Sequence, residues 1–172
     1  MIPQIKKILY ATDLTKNSAY AFYFALDMAR KHGAQIVILH CIANVPPYVY
    51  HEAGFGAEKL LDKAKAQEKE DDIADIKKHL QEYCQKAESR IGSSCVDLVS
   101  DILVKAGYAV EEILNTADEA GCDMIVLGTH GKGWLNQAFL GSVARSVLER
   151  TKKPTFLIPL PAEKKGIDWG TL

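Results

Sequence analysis

The stretch MIVLGTHGKGWLNQAFLGSVARSV, residues 124–147, sets the architecture and the candidate site together. Met124-Ile125-Val126-Leu127 is a short unbroken apolar run, the pattern of a strand covered on both faces. Gly128-Thr129-His130-Gly131-Lys132-Gly133 follows, with three glycines in six residues. Further on, Gly141-Ser142 opens Val143-Ala144-Arg145-Ser146-Val147-Leu148, whose apolar pairs recur four apart and predict a helix. Strand, glycine-rich loop and helix start form a layout that holds phosphate. Glycine lets the backbone approach an anion, and the first turn of a helix supplies unpaired N–H donors and a partial positive charge.

The spacing excludes two familiar phosphate loops. Lys132 is followed by Gly133, so there is no G-x-x-x-x-G-K-[ST], and no G-x-G-x-x-G runs straight into the helix. What stands instead is G-x-x-G, nine residues, then G-S: Gly128, Gly131, Gly141 and Ser142. That pattern resembles the ATP-binding signature of the universal stress protein family. The resemblance covers nearly the whole chain. Ile8-Leu9-Tyr10-Ala11-Thr12-Asp13 is similar to the family's first strand with its terminal aspartate, and Gln35 to Cys41 to its second. Cys122 to Gly131 is similar to its most recognisable block, and Lys152 to Pro159 to its closing strand.

The resemblance implies a single Rossmann-like α/β domain of the adenine nucleotide alpha hydrolase type, an open five-stranded parallel sheet in the order 3-2-1-4-5. Its ligand would be ATP, or AMP or ADP, with magnesium on the phosphates. Amides around Gly128, Gly131 and Gly141, the Ser142 hydroxyl and the adjacent Val143 would hold the phosphates. Thr129 and His130 shape that loop, with His130 as a phosphate donor to test, and Lys132 and Arg145 are further positive charges. Ala11, Leu127 and the main chain of Cys41 would border the base. From spacing alone Asp13 is a turn-shaping residue; the resemblance places it against the nucleotide, where it would also touch a phosphate-borne magnesium. A homodimer through the edge strand 154–159 is implied as well, since a short apolar edge needs cover.

Composition bounds the reading. The chain has 172 residues, suited to one domain over 1–160 with a tail over 161–172, and folding should bury roughly 70% of the unfolded surface. A net charge of −1 gives no general attraction to nucleic acid or to an anionic membrane, so neither is an expected partner. Lys6 and Lys7 break the amino end before a leader-like apolar run can form, and the expected location is the cytoplasm. Cys41, Cys84, Cys95 and Cys122 form no C-x-x-C pair, which argues against zinc or a redox dithiol. Cys41 and Cys122 sit in apolar contexts, while Cys84 and Cys95 have room to be more exposed.

Taken in order, Ile5–Ala11 reads as a buried strand ending at Asp13. Thr15 is a predicted N-cap for a helix from Lys16 to Lys31, stopped by Gly33, with Ala21, Phe22, Ala25, Leu26 and Ala29 facing inward. Gln35–Ile42 is the second strand, and His40 within it reads as a satisfied core histidine. Asn44–Gly56 is a loop with Tyr48, Tyr50 and His51, either a surface connection or a flap over a ligand. Ala57–Ile91 is highly charged; Ile73, Ile76, Leu80, Tyr83, Cys84, Ala87 and Ile91 make its second half an amphipathic helix. A third strand is predicted over Val96–Lys105, a helix over Gly107–Ala120 ended by Gly121, and a last strand over Thr155–Pro159 whose flanking prolines suit an edge.

Five strands alternating with four helices argue for a parallel sheet with helices on both faces. The ligand crevice then lies between the ends of the first and fourth strands, where Asp13 and Gly128 stand. Three functions compete: a nucleotide-binding regulatory protein, an enzyme that cleaves or transfers phosphate, and an interaction protein with an unused pocket. No second acid beside the loop and no clear base argue against turnover beyond a slow ATPase. The intact glycine signature argues against the unused pocket. A redox or flavin carrier on a similar sheet is more distant.

Overall fold

The computed structural model describes residues 2–42, 58–91, 95, 97–129 and 140–159. Within them the order is β1 (Lys7–Thr12), α1 (Lys16–His32), β2 (Gln35–Ile42), α2 (Glu58–Ile91), β3 (Val99–Ala106), α3 (Ala109–Glu119), β4 (Met124–Gly128), α4 (Ser142–Arg150) and β5 (Thr155–Ile158). All four strand pairings are parallel, and the sheet order is β3-β2-β1-β4-β5. The expected topology is therefore present, with β5 on an edge.

Alternation along the strands explains why they read as unbroken apolar runs. Ile8, Tyr10, Ile36, Ile38, Met124 and Val126 pack against α1 and α2 on one face. Their neighbours Leu9, Ala11, Val37, Leu39, Ile125 and Leu127 pack against α3 and α4 on the other. Successive side chains point to opposite faces, so a strand covered twice has no position left for polarity. The α1 stripe is buried as expected, from Ala21 and Phe22 to Ala29. Thr15 caps α1 by accepting from Ser18 N, and Gly33 ends it at φ 62°, where a side chain would be strained.

Three expectations need correction. β3 begins at Val99 and not Val96, because Leu98 and Val99 donate their amides back to Cys95 O in a turn. In α4 the buried residues are Ala144 and Val147, three apart, while Val143 and Leu148 are 37% and 40% exposed. The short helix touches the sheet along a narrow stripe, which a four-residue spacing overestimates. Cys84 and Cys95 are buried, not exposed. α2 is one helix of 34 residues, and its packed positions run from Ile76 to Ala87, as the apolar spacing predicts.

Asp123 ties the entrance of β1 to that of β4. Its Oδ2 accepts the amides of Lys6 at 2.8 Å and Lys7 at 2.9 Å, which hold the carboxyl below its ordinary range. A carboxyl lowered by folding stabilises above its unfolded value, about 4, and that stability is lost as the pH falls through the lowered folded value. Asp123→Asn is therefore expected to reduce thermal stability by a constant amount above pH 5, with the two melting curves converging in acid. A gap that persists unchanged to pH 2 would contradict this assignment.

Candidate functional site

The sheet order reverses between β1 and β4, and the chain leaves these two strands toward opposite faces. β1 leads into α1 on one face, and α4, the helix following β4, lies on the other. A crevice opens at the carboxyl ends of two such strands. The register pairs Ile8 with Met124, Leu9 with Ile125 and Tyr10 with Val126. Continued along the strands, it brings Ala11 and Thr12 beside Leu127 and Gly128, so the two predicted halves of the site do meet.

On the β1 side, hydroxyls fix the chain around Asp13. Asp13 Oδ1 accepts from Thr15 N at 3.1 Å and from Thr15 Oγ1 at 2.6 Å. Thr12 Oγ1 donates to Ser18 Oγ at 2.9 Å and accepts from Leu14 N at 3.1 Å; Ser18 Oγ donates to Thr15 O at 2.8 Å. Tyr10 OH donates to Ser18 O at 2.6 Å, and burial pushes its phenol well above the ordinary value, so it stays a neutral donor. Leu14 sits at φ 64°, a conformation that costs a non-glycine residue about 1–2 kcal/mol. The surrounding bonds hold it there. Asp13 Oδ2 is buried and has no hydrogen-bond partner among the described residues. A buried carboxylate oxygen without a donor is expensive, and its natural partner is a hydroxyl or a cation brought by a ligand.

On the β4 side two main-chain amides flanking the glycine-rich stretch are already bonded. Thr129 N donates to Ile158 O at 2.9 Å, and Gly141 N donates to Thr129 O at 2.8 Å. These two amides close the ends of the loop, so the predicted donor set shifts one step into the helix. Gly141 is the N-cap of α4 and brings no side-chain cap, and the first helical bond is Arg145 N to Gly141 O. The amides of Ser142, Val143 and Ala144 thus have no acceptor among the described residues. Ser142 and Val143 are exposed. His130, Gly131 and Lys132 lie outside the described residues, as do Tyr48, Tyr50, His51 and the tail.

At the third corner, β2 ends with His40, Cys41 and Ile42. His40 is buried and its Nδ1–H donates to Thr12 O at 2.8 Å, which fixes the peptide just before Asp13. A carbonyl only accepts, so this ring nitrogen carries the proton. The core reading of His40 holds, and it also positions the site; only the register, which pairs Thr12 with His40, makes that visible. Leu14, Thr15 and Ser18 are likewise absent from the sequence-derived set. The polar run Thr12–Ser18 was a signal for Thr15 and Ser18, while nothing in the sequence marks Leu14. Burial, with the Glu112 carboxylate adding to it, pushes the Cys41 thiol up to about 11. The side chain is therefore a neutral bystander, consistent with a role for its main chain alone.

These residues fit the groups that the resemblance implies. A helix start whose first amides have no acceptor among the described residues suits phosphate, and the Asp13 oxygen, likewise without a partner among them, suits a ribose hydroxyl or a divalent ion. Among the described residues no helix is long and apolar enough to cross a membrane.

Comparison with known proteins bears on the family. A family model described as "Universal stress protein family" matches residues 4–159. The chain is similar to a universal stress protein of Methanocaldococcus jannaschii, 27% identical over 165 residues, covering 89% of this chain and 94% of the relative. Among solved structures it resembles universal stress protein UspA from Lactobacillus plantarum, with a TM-score of 0.70 at 18% identity, covering 91% of this chain and 99% of that one. A universal stress protein in complex with cAMP superposes with a TM-score of 0.56 at 17% identity, covering 91% and 98% of the two chains. At such identities the structural likeness speaks for the fold.

Proposed function

This chain belongs to the universal stress protein family, and on that premise we propose that it binds an adenine nucleotide, ATP with magnesium, as a dimeric regulatory protein. The observation that carries the proposal is the buried Asp13 Oδ2, without a partner among the described residues and held at the end of the strand that neighbours β4. The amides of Ser142, Val143 and Ala144, without acceptors among the described residues, take the phosphates, with Gly128 and Gly131 giving the backbone room. Asp13 takes the ribose or the metal, and Ala11, Leu127 and the Cys41 main chain border the base. Magnesium, when bound, neutralises phosphate charge; the chain's own residues supply orientation and main-chain donors. The neighbour in complex with cAMP supports the reading, because it holds an adenine nucleotide on this fold. β5 is the edge through which a second copy would pair, and its Phe156 is 37% exposed.

Thermal unfolding tests this directly. Millimolar ATP with magnesium is expected to raise the Tm by mass action, since only the folded chain binds it. Asp13→Asn keeps an acceptor for Thr15 but removes the buried charge. Its Tm without nucleotide is expected to equal or exceed that of the native chain, while the magnesium-dependent part of the ATP shift disappears. An unchanged ATP shift in Asp13→Asn would remove Asp13 from the site. No ATP shift in the native chain would defeat the nucleotide reading itself.

A further inference from the structure

The helix α4 has a slender hold on the sheet. It has nine residues, and its buried side chains are Ala144 and Val147, three apart. Such a narrow stripe fixes the distance of a helix from a sheet but resists tilting weakly. Two ion pairs then tie α4 and the turn after it to α3. Arg150, the last residue of α4, donates from Nη1 to Glu111 Oε1 at 2.5 Å and from Nη2 to Glu111 Oε2 at 2.9 Å. Lys153 Nζ, in the turn, lies 3.1 Å from Asp118 Oδ1. The turn is itself held, since Lys153 N donates to Thr151 Oγ1 at 3.0 Å. Glu111 and Asp118 stand seven apart on α3, two turns along one flank, while Ile113, Thr116 and Ala117 of the same helix are buried. A helix anchored by its own packing thus grips the α4 segment at two points.

Resting on the nucleotide-binding reading, we propose that Glu111 and Arg150 are positioning residues whose two-pronged contact aims the first turn of α4 at the phosphates. Ser142 and Arg150 are the two ends of one helix about 12 Å long, so a tilt at Arg150 is carried to the donors at the other end. The amides of Ser142, Val143 and Ala144 share that tilt, and each N–H···O bond weakens as its angle closes. A planar guanidinium seated on a carboxylate fixes orientation as well as distance, which an ammonium does not. Both side chains are about half exposed, and exposed pairs contribute little to global stability. Their contribution is therefore to the aim of a helix that would fold without them. Neither side chain has to touch the nucleotide for this.

The test titrates the full chain with magnesium ATP and, separately, with adenosine, and follows thermal unfolding of each variant. Arg150→Met and Glu111→Gln are each expected to weaken ATP about three- to fivefold and to leave adenosine binding unchanged. The Tm should move by no more than about 3 °C. Residues that act as a unit lose their effect once, so the double variant should bind ATP no more weakly than either single one. Arg150→Lys keeps the charge but loses the fork, and it too should weaken ATP. The sign of the Glu111→Gln effect separates positioning from simple attraction. Acting only as a remote charge, the acid would repel ATP, and its removal would tighten binding. Native or tighter ATP binding in Glu111→Gln overturns the proposal, as does an adenosine loss equal to the ATP loss. A native chain that binds neither ligand defeats the nucleotide reading and this inference with it; native binding with unmoved variants defeats the positioning role alone.

Discussion

Ser142→Pro is expected to weaken ATP binding about 10–100-fold while leaving the fold intact. Ser142 is the first helical residue of α4, where proline fits because no intrahelical acceptor awaits its amide. Gly141 before it has φ −56° and ψ 150°, the extended backbone that a following proline favours. The substitution therefore deletes one main-chain donor and one hydroxyl from the helix start and disturbs little else. A hydrogen bond to a charged group contributes about 1.5–3 kcal/mol, which sets the expected loss. Ser142→Ala removes the hydroxyl alone and should lose less. Calorimetric titration of both variants separates the two contributions. Native affinity in Ser142→Pro, with an unchanged Tm, would mean that the phosphates lie elsewhere.

The largest effect on stability is expected from Phe22→Ala, about 3–5 kcal/mol. Phe22 is fully buried and lies between two aromatic partners, Tyr10 at 5.0 Å and Tyr83 at 5.4 Å between ring centroids. Those contacts join the helix α1 to the central strand and to α2, so the vacated volume borders three elements at once. Tyr10 and Tyr83 also hold backbone carbonyls, Ser18 O and Ala19 O, and cannot collapse into the space without giving up those bonds. For a chain of this size the Tm should fall by about 10 °C or more. Leu148→Ala, at a side chain 40% exposed, is the control, expected to cost well under half as much. Equal losses at the two positions would contradict the core assignment.

Much of this molecule was legible before its coordinates. Strands covered on both faces carry uninterrupted apolar runs, so β1, β2 and β4 announced themselves with their layering. Thr15 and Gly33 are chemically suited to begin and end a helix, and α1 starts and stops beside them. The distance between Asp13 and Gly128 in sequence hides their proximity, but a sheet order that reverses between their strands restores it. Fine boundaries were less legible. Val96 looks like any strand residue, and only the amides folded back on Cys95 O delay β3 to Val99.

What the sequence determined by itself is the class of fold, its strand order through family resemblance, and the end of the sheet where the first and fourth strands bring Asp13 and Gly128 together. These follow from periodicity and from glycine, proline and capping residues, whose effects are local. Which donors and which carboxylate oxygen lack a partner among the described residues, and which cysteines are buried, were decided by tertiary structure alone. Gly141 reads as a phosphate donor until its amide is found on Thr129 O, and Cys95 has room to be exposed until the turn before β3 buries it in the core. Hydrogen bonds and burial depend on which atoms meet within a few ångströms, and chain folding sets that distance between residues whose own chemistry is silent about it.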